Sequence, residues 1–249
     1  MSALLLALAA GAVIGLALGT LGGGGSVLAV PALIYLLGFT PVAATTASLV
    51  IVTVTSATAL VAHARDGHVR WRTGLLFAAA GVGPAMLGGA VAGRLPEVVL
   101  TAAFALIAAV AAVRMLRPRP TPEADRPVRP GRAAAAGAGL GAVTGVLGVG
   151  GGFLAVPALV GVLSLRMRAA VGTSLLVITV NSLAALAMRA GTADGLDWAV
   201  IAPFAGAAVL AAWDGKRLAA KVSGPALQRI FAVVLLAVAA FMLIDAVAR

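Results

Sequence analysis

The sequence predicts an all-α polytopic membrane protein made of two inverted repeats, each a Gly-broken, re-entrant-type helical hairpin followed by three transmembrane helices. Three observations predict it. Of 249 residues, 62% are hydrophobic and 10% charged, whereas soluble domains carry about a quarter charged residues. Sliding the chain on itself by 126 positions, without a gap, matches residues 11–60 with residues 137–186 at 24 of 50 positions. That is an internal duplication. Equivalent loops of the two copies carry opposite charge patterns, which copies of one orientation would not show.

The apolar runs come in order. Residues 42–62, 73–93 and 225–247 are each about 20 residues, long enough to cross a hydrocarbon core of roughly 30 Å. Their pattern does not alternate, which excludes an outer-membrane barrel. The first 13 residues have an apolar core and no basic flank, and the duplication includes Gly11 and Gly15. They read as a first helix rather than a cleaved signal peptide. Repeat one, residues 1–116, then gives helices at 3–19, 27–37, 42–62, 73–93 and 98–113. A Pro- and Arg-rich linker, residues 117–132, is too polar and Pro-broken for core. Repeat two, residues 133–249, gives 133–148, 153–163, 169–188, 198–213 and 225–247.

Each copy holds one Gly-rich break, in GTLGGGGSVLAVPAL from Gly19 to Leu33 and GVLGVGGGFLAVPAL from Gly145 to Leu159. Within a bilayer, non-helical backbone survives only where protein or an aqueous cavity covers it. At about 1.5 Å per residue, the eleven residues 27–37 reach about halfway across. Residues 3–37 and 133–163 therefore read as hairpins dipping in from opposite faces. Charge counting agrees. With four crossings per half, the better orientation leaves 11 Lys and Arg inside and 7 outside; with inverted halves the split is 15 to 3. The expectation is a multi-pass protein of the cell inner (plasma) membrane, with extracytoplasmic termini and a cytoplasmic linker.

A half-helix that starts after a glycine tip presents unpaired N–H groups and about half a positive charge. Such an end binds an anion without a buried cation. The donors would come from Gly24, Gly25, Ser26 and Val27 in one half and Gly150, Gly151, Gly152 and Phe153 in the other, with Gly22 and Gly148 opening the breaks. Gly11, Gly15 and Gly19, like Gly137, Gly141 and Gly145, recur every four residues and read as close helix packing. No packing seam calls for the contiguous Gly22–Gly25 and Gly150–Gly152, so these read as functional.

The helix after each hairpin carries Ser48, Thr53, Thr55 and Ser56, matched by Ser174, Thr179, Asn181 and Ser182. Ser48 with Thr55, and Ser174 with Asn181, are seven apart and share a face. Two readings stand for these four: uncharged donors to an oxyanion, or hydroxyls bonded back to their own helix with Asn181 joining two helices. Thr53, Thr58 and Thr179 read as back-bonded. His63 and Arg189 sit at equivalent helix ends, as interfacial residues or as a gate at a pore mouth. Trp71 and Trp198 each begin a span and read as interfacial anchors.

At the paired Gly-rich and VPAL segments, and at ATTASL (Ala44 to Leu49) and VGTSL (Val171 to Leu175), the sequence resembles the TauE/SafE sulfite exporter family, also called the toluene sulfonate uptake permease family. The resemblance covers nearly the whole chain. It implies transport of sulfur-containing anions, such as sulfite or organosulfonates. The Trp213-Asp214-Gly215-Lys216 stretch reads as a polar turn outside the family pattern, and Ser26 departs from its partner Gly152. With a negative interior, an uncoupled anion carrier exports; an anion-selective channel built on the same tips is the alternative. No cofactor or metal is called for: cysteine is absent, and two histidines and eight acids leave no nucleophile–base pair for an enzyme. Expected partners are a small anionic substrate and the lipid bilayer. Nucleic acid is not one, because the basic residues sit in short loops, and the small-residue faces permit a homodimer.

Overall fold

The computed structural model describes residues 2–92, 96–117, 128–147, 152–188 and 197–248. Among them all regular structure is helical. The first copy contributes α1 (Ser2–Leu21), α2 (Gly24–Pro31), α3 (Pro41–Arg65), α4 (Trp71–Ala92) and α5 (Glu97–Leu116). The second contributes α6 (Pro130–Leu147), α7 (Gly152–Gly161), α8 (Met167–Met188), α9 (Trp198–Lys221) and α10 (Gly224–Ala248). Five of them, α1, α3, α8, α9 and α10, contain stretches long and apolar enough to span a membrane. The outward side chains of the bundle are large and apolar, with Leu87 on α4 and Leu210 on α9 each 73% exposed. Such a surface is stable against lipid and not against water.

Local chemistry sets the helix ends. Pro41 occupies the first turn of α3, where its missing N–H costs nothing, and the Thr40 hydroxyl accepts from the Ala43 N–H at 3.3 Å. Asp197 caps α9 in the same way, accepting from Ala199 at 3.1 Å. After Pro31, which has no N–H to give, α2 widens into a π-helical turn over Ala32–Leu36.

The helices pair across the copies. α1 lies along α9 and α4 along α6, while α3 meets α8, α5 meets α10 and α2 meets α7. Gly11, Gly15 and Gly19 face Phe204, Ala208 and Ala212 in step, so α1 and α9 run in the same direction. Gly137, Gly141 and Gly145 face Phe77, Gly81 and Ala85 in the same step, so α4 and α6 do too. A Cβ on any of these six glycines would stand 2.1–2.3 Å from a carbonyl oxygen of the facing helix. The four-residue glycine spacing is the seam of both pairs, as close packing predicts.

One end of the bundle gathers the finish of α1, α3 and α9 and the start of α4, α8 and α10. There the Arg70 N–H donates to Thr173 Oγ1 at 3.1 Å, Lys216 pairs with Asp66 at 2.9 Å, and Thr20, Arg168 and Leu227 border one cleft.

Three of the differences from the expected boundaries bear on the packing. The helix after the first break begins at Gly24 rather than at 27, so Gly24, Gly25, Ser26 and Val27 form its first turn and only Gly22 and Gly23 separate it from α1. Residues 130–132, expected in the linker, already belong to α6. The stretch from Trp213 to Lys216 is no turn but the interior of α9. Gly215 is there for approach, since its Cβ would stand 2.7 Å from the Leu16 carbonyl oxygen on α1.

Candidate functional site

The first break and the start of α7 meet in the core. Gly22 turns the chain at φ +71°, a left-handed conformation that suits glycine. Its N–H still closes the last turn of α1 on the Leu18 carbonyl at 2.9 Å. A Cβ here would stand 2.4 Å from Ser174 Oγ, and one on Gly23 would stand 2.0 Å from the Gly152 carbonyl oxygen. Gly25 packs back on its own hairpin, where a Cβ would come within 2.5 Å of the Ile14 carbonyl oxygen. Packing therefore does call for Gly22, Gly23 and Gly25, which corrects the expectation that no seam needs them.

Ser26 and Gly152 occupy equivalent places in the two copies, and they face each other. A Cβ on Gly152 would lie 2.6 Å from Ser26 Oγ, and Ser26 donates to the Gly23 carbonyl at 2.8 Å. At a point where equivalent residues oppose each other, only one can carry a side chain. That accounts for the departure at Ser26. Phe153, the next residue of α7, is 1% exposed and its ring stacks at a tilt on Phe104 with centroids 4.8 Å apart. It closes this part of the core.

The polar residues divide sharply. Ser48 donates to the Thr45 carbonyl and Ser174 to the Val171 carbonyl, each at 2.8 Å. Thr58 and Thr179 also bond back, to Val54 and Leu175, as expected. Ser56 and Thr179 then share a hydrogen bond of 3.0 Å that joins α3 to α8. Thr53, expected to be back-bonded, is not: its Oγ1, the Thr55 Oγ1 and the Asn181 Oδ1 are buried without a partner. Thr55 and Asn181 are equivalent positions of the two copies. A buried polar atom left unpaired costs about 1–3 kcal/mol, so these positions are ones that a polar ligand would relieve. Gly148, Gly150 and Gly151 of the second break lie outside the described residues, as does Arg189.

A small cleft sits at the end where α3 finishes. His63, Asp66, His68, Arg168 and Lys216 line it together with Thr20 and Val171. Val171 joins it to the glycine tip, because its carbonyl holds Ser174 and would lie 3.1 Å from a Cβ on Gly22. His63 is 4% exposed, and its Nε2 lies 3.1 Å from the Gly19 carbonyl oxygen. Lys216 beside Asp66 holds that carboxyl below the usual carboxylate range, and burial pushes His68 below the usual histidine value. Of these residues, sequence reasoning reached only His63. Asp66 and Lys216 are 150 positions apart, and Lys216 sat in the stretch read as a turn. The available signal was the lone Asp66 among the arginines of its loop.

The description "Sulfite exporter TauE/SafE" matches residues 7–242. The chain belongs to the TauE/SafE family. Two curated relatives, each described as a probable membrane transporter protein, come from Xylella fastidiosa strains 9a5c and Temecula1. Each is 34% identical to this TauE/SafE chain over 248 residues, covering 96% of it and 95% of the relative. No solved structure matches. The chain is thus a multi-pass membrane transporter by family and by helical architecture. Among the described residues no group of three or more His, Cys, Asp or Glu is placed to hold a metal.

Proposed function

We propose that this TauE/SafE chain carries small sulfur-containing anions, sulfite or an organosulfonate, out across the plasma membrane by alternating access around its two Gly-rich breaks. The observation that carries the reading is the meeting of equivalent elements from both copies: Gly23 against Gly152, with Ser174 beside Gly22. A site built from corresponding broken helices is the arrangement by which repeat transporters hold a substrate at one place and open it alternately to either side. Thr55 and Asn181 supply uncharged hydrogen-bonding groups at matched positions. An oxyanion held by hydroxyls, an amide and backbone N–H groups is bound without a permanent cation and is therefore released again.

The same reading takes the two copies as inverted. α8 starts at the end where α3 finishes, although the two helices are equivalents. α1 runs with α9 and α6 with α4, a reciprocal exchange that antiparallel copies produce. The basic end bearing Arg70, Arg168 and Lys216 is then cytoplasmic. A negative interior drives an anion outward by about 2.3 kcal/mol per charge per 100 mV, which makes export the direction of an uncoupled carrier.

Purified protein in lipid vesicles tests this. Saturable efflux of labelled sulfite, with counterflow when unlabelled sulfite is on the far side, is the expected result. Flux that neither saturates nor shows counterflow, together with unitary currents, would replace the carrier by a channel. Absence of any sulfite or sulfonate flux would remove the anion reading.

A further inference from the structure

We propose that the cleft at the basic end of the bundle is a second anion site, and that it takes an oxyanion still carrying one O–H. The proposal rests on the anion-carrier reading and names the form of anion that enters. The charges facing the cleft are Arg168 from α8, Lys216 from α9 and Asp66 from the loop after α3, with His63 on α3 and His68 before α4. α1 brings Thr20, whose hydroxyl is spent on the Leu16 carbonyl at 2.7 Å, and α10 brings Leu227. Lys216 is paired with Asp66. Arg168 rests one nitrogen on the Ala220 and Val222 carbonyls, at 3.1 and 3.4 Å. Among the described residues it meets no carboxylate, and its other nitrogens remain as donors. The two lining cations outnumber the one lining carboxylate, so the cleft favours an anion.

His63 sets the rest of the requirement. The Gly19 carbonyl can only accept, so Nε2 carries the hydrogen, and Nδ1 of the neutral ring is an acceptor. That atom is buried without a partner. An oxyanion with all its oxygens bare offers it nothing. One bearing an O–H, such as hydrogen sulfite or the monoanion of a phosphonate, donates to Nδ1 while its bare oxygens accept from Arg168 and Lys216. The O–H thus distinguishes an acid oxyanion from a sulfonate of the same shape and charge.

Methanesulfonate and the methylphosphonate monoanion differ in that one group and serve as the probes, at a pH where methylphosphonate holds one proton. Their binding to the full chain in lipid nanodiscs is measured by titration calorimetry. Methylphosphonate is expected to bind roughly tenfold more tightly, the value of one hydrogen bond to an otherwise unpaired acceptor. His63→Gln keeps a donor for Gly19 and an acceptor for the probe, and should retain the preference. His63→Phe should abolish it, and Lys216→Met should weaken both probes. Equal binding of the two probes by wild type, or a preference that survives in a monodisperse His63→Phe, overturns the assignment. Sulfite counterflow reads the carrier separately: flux with no probe preference sinks the acid-oxyanion cleft and leaves the carrier, whereas absence of flux sinks the carrier even if the cleft binds.

Discussion

Exchanging the side chains of Ser26 and Gly152 tests whether the two copies meet where the geometry says they do. In Gly152→Ser a new Cβ stands 2.6 Å from Ser26 Oγ and 2.9 Å from Ile178 Cγ1. Overpacking of this kind costs about 1–3 kcal/mol. Ser26→Gly removes the 2.8 Å bond to the Gly23 carbonyl, worth about 1 kcal/mol, and places another glycine in the first turn of α2. The double exchange Ser26→Gly with Gly152→Ser removes the Oγ that the new side chain would strike first, and leaves the Ile178 contact in place. The double variant should therefore be more stable than the sum of the single costs by roughly 1–2 kcal/mol, within the range seen for residues in contact. Equilibrium unfolding of the purified protein in mixed micelles, with wild type, both singles and the double compared on one denaturant axis, measures that coupling. Costs that add to within about 0.5 kcal/mol, the limit for independent sites, would refute the meeting of the equivalent residues and with it the shared site.

Three further outcomes follow from particular atoms. Gly15→Ala drives a Cβ to within 2.1 Å of the Ala208 carbonyl oxygen and should lower the melting temperature clearly, whereas Gly83→Ala meets nothing within 4 Å and should be neutral or stabilising; the pair is read by thermal unfolding, and equal effects would sink the α1–α9 seam. Thr55→Val removes an unpartnered buried hydroxyl, so it should raise stability by about 1 kcal/mol while cutting sulfite flux about tenfold; a stability loss with full flux would show the hydroxyl to be structural. Lys216 depresses the Asp66 carboxyl, so the pair's contribution is complete above the unfolded carboxylate value and fades as pH falls through the lower folded one. Lys216→Met should therefore flatten the acid limb of the stability–pH curve relative to wild type, by less than about 1 kcal/mol because the pair is partly exposed.

Much of this architecture was legible in the residues alone. An apolar composition with glycine breaks 126 positions apart specifies a duplicated, helical membrane protein, because backbone in lipid must satisfy itself and a break must be buried. The four-residue glycine spacing announced two tight seams. It did not name their partners. In a chain apolar on nearly every face, hydrophobic periodicity carries little information about which helix lies against which. Only the tertiary structure put α1 on α9 and α4 on α6, through the steps of Gly11, Gly15 and Gly19 past Phe204, Ala208 and Ala212. The boundary errors have the same origin: Gly24 and Gly215 read as helix breakers locally, yet they stay helical because packing outweighs a propensity cost of about 1 kcal/mol. The cleft was invisible for a related reason. Its charges come from α3, α8, α9 and a loop, separated by up to 153 positions, and their common end exists only after the helices have chosen partners. Composition and repetition, which are local and additive, determined what kind of molecule this is; contact between distant segments, set by which small residues let which backbones approach, decided where its site lies.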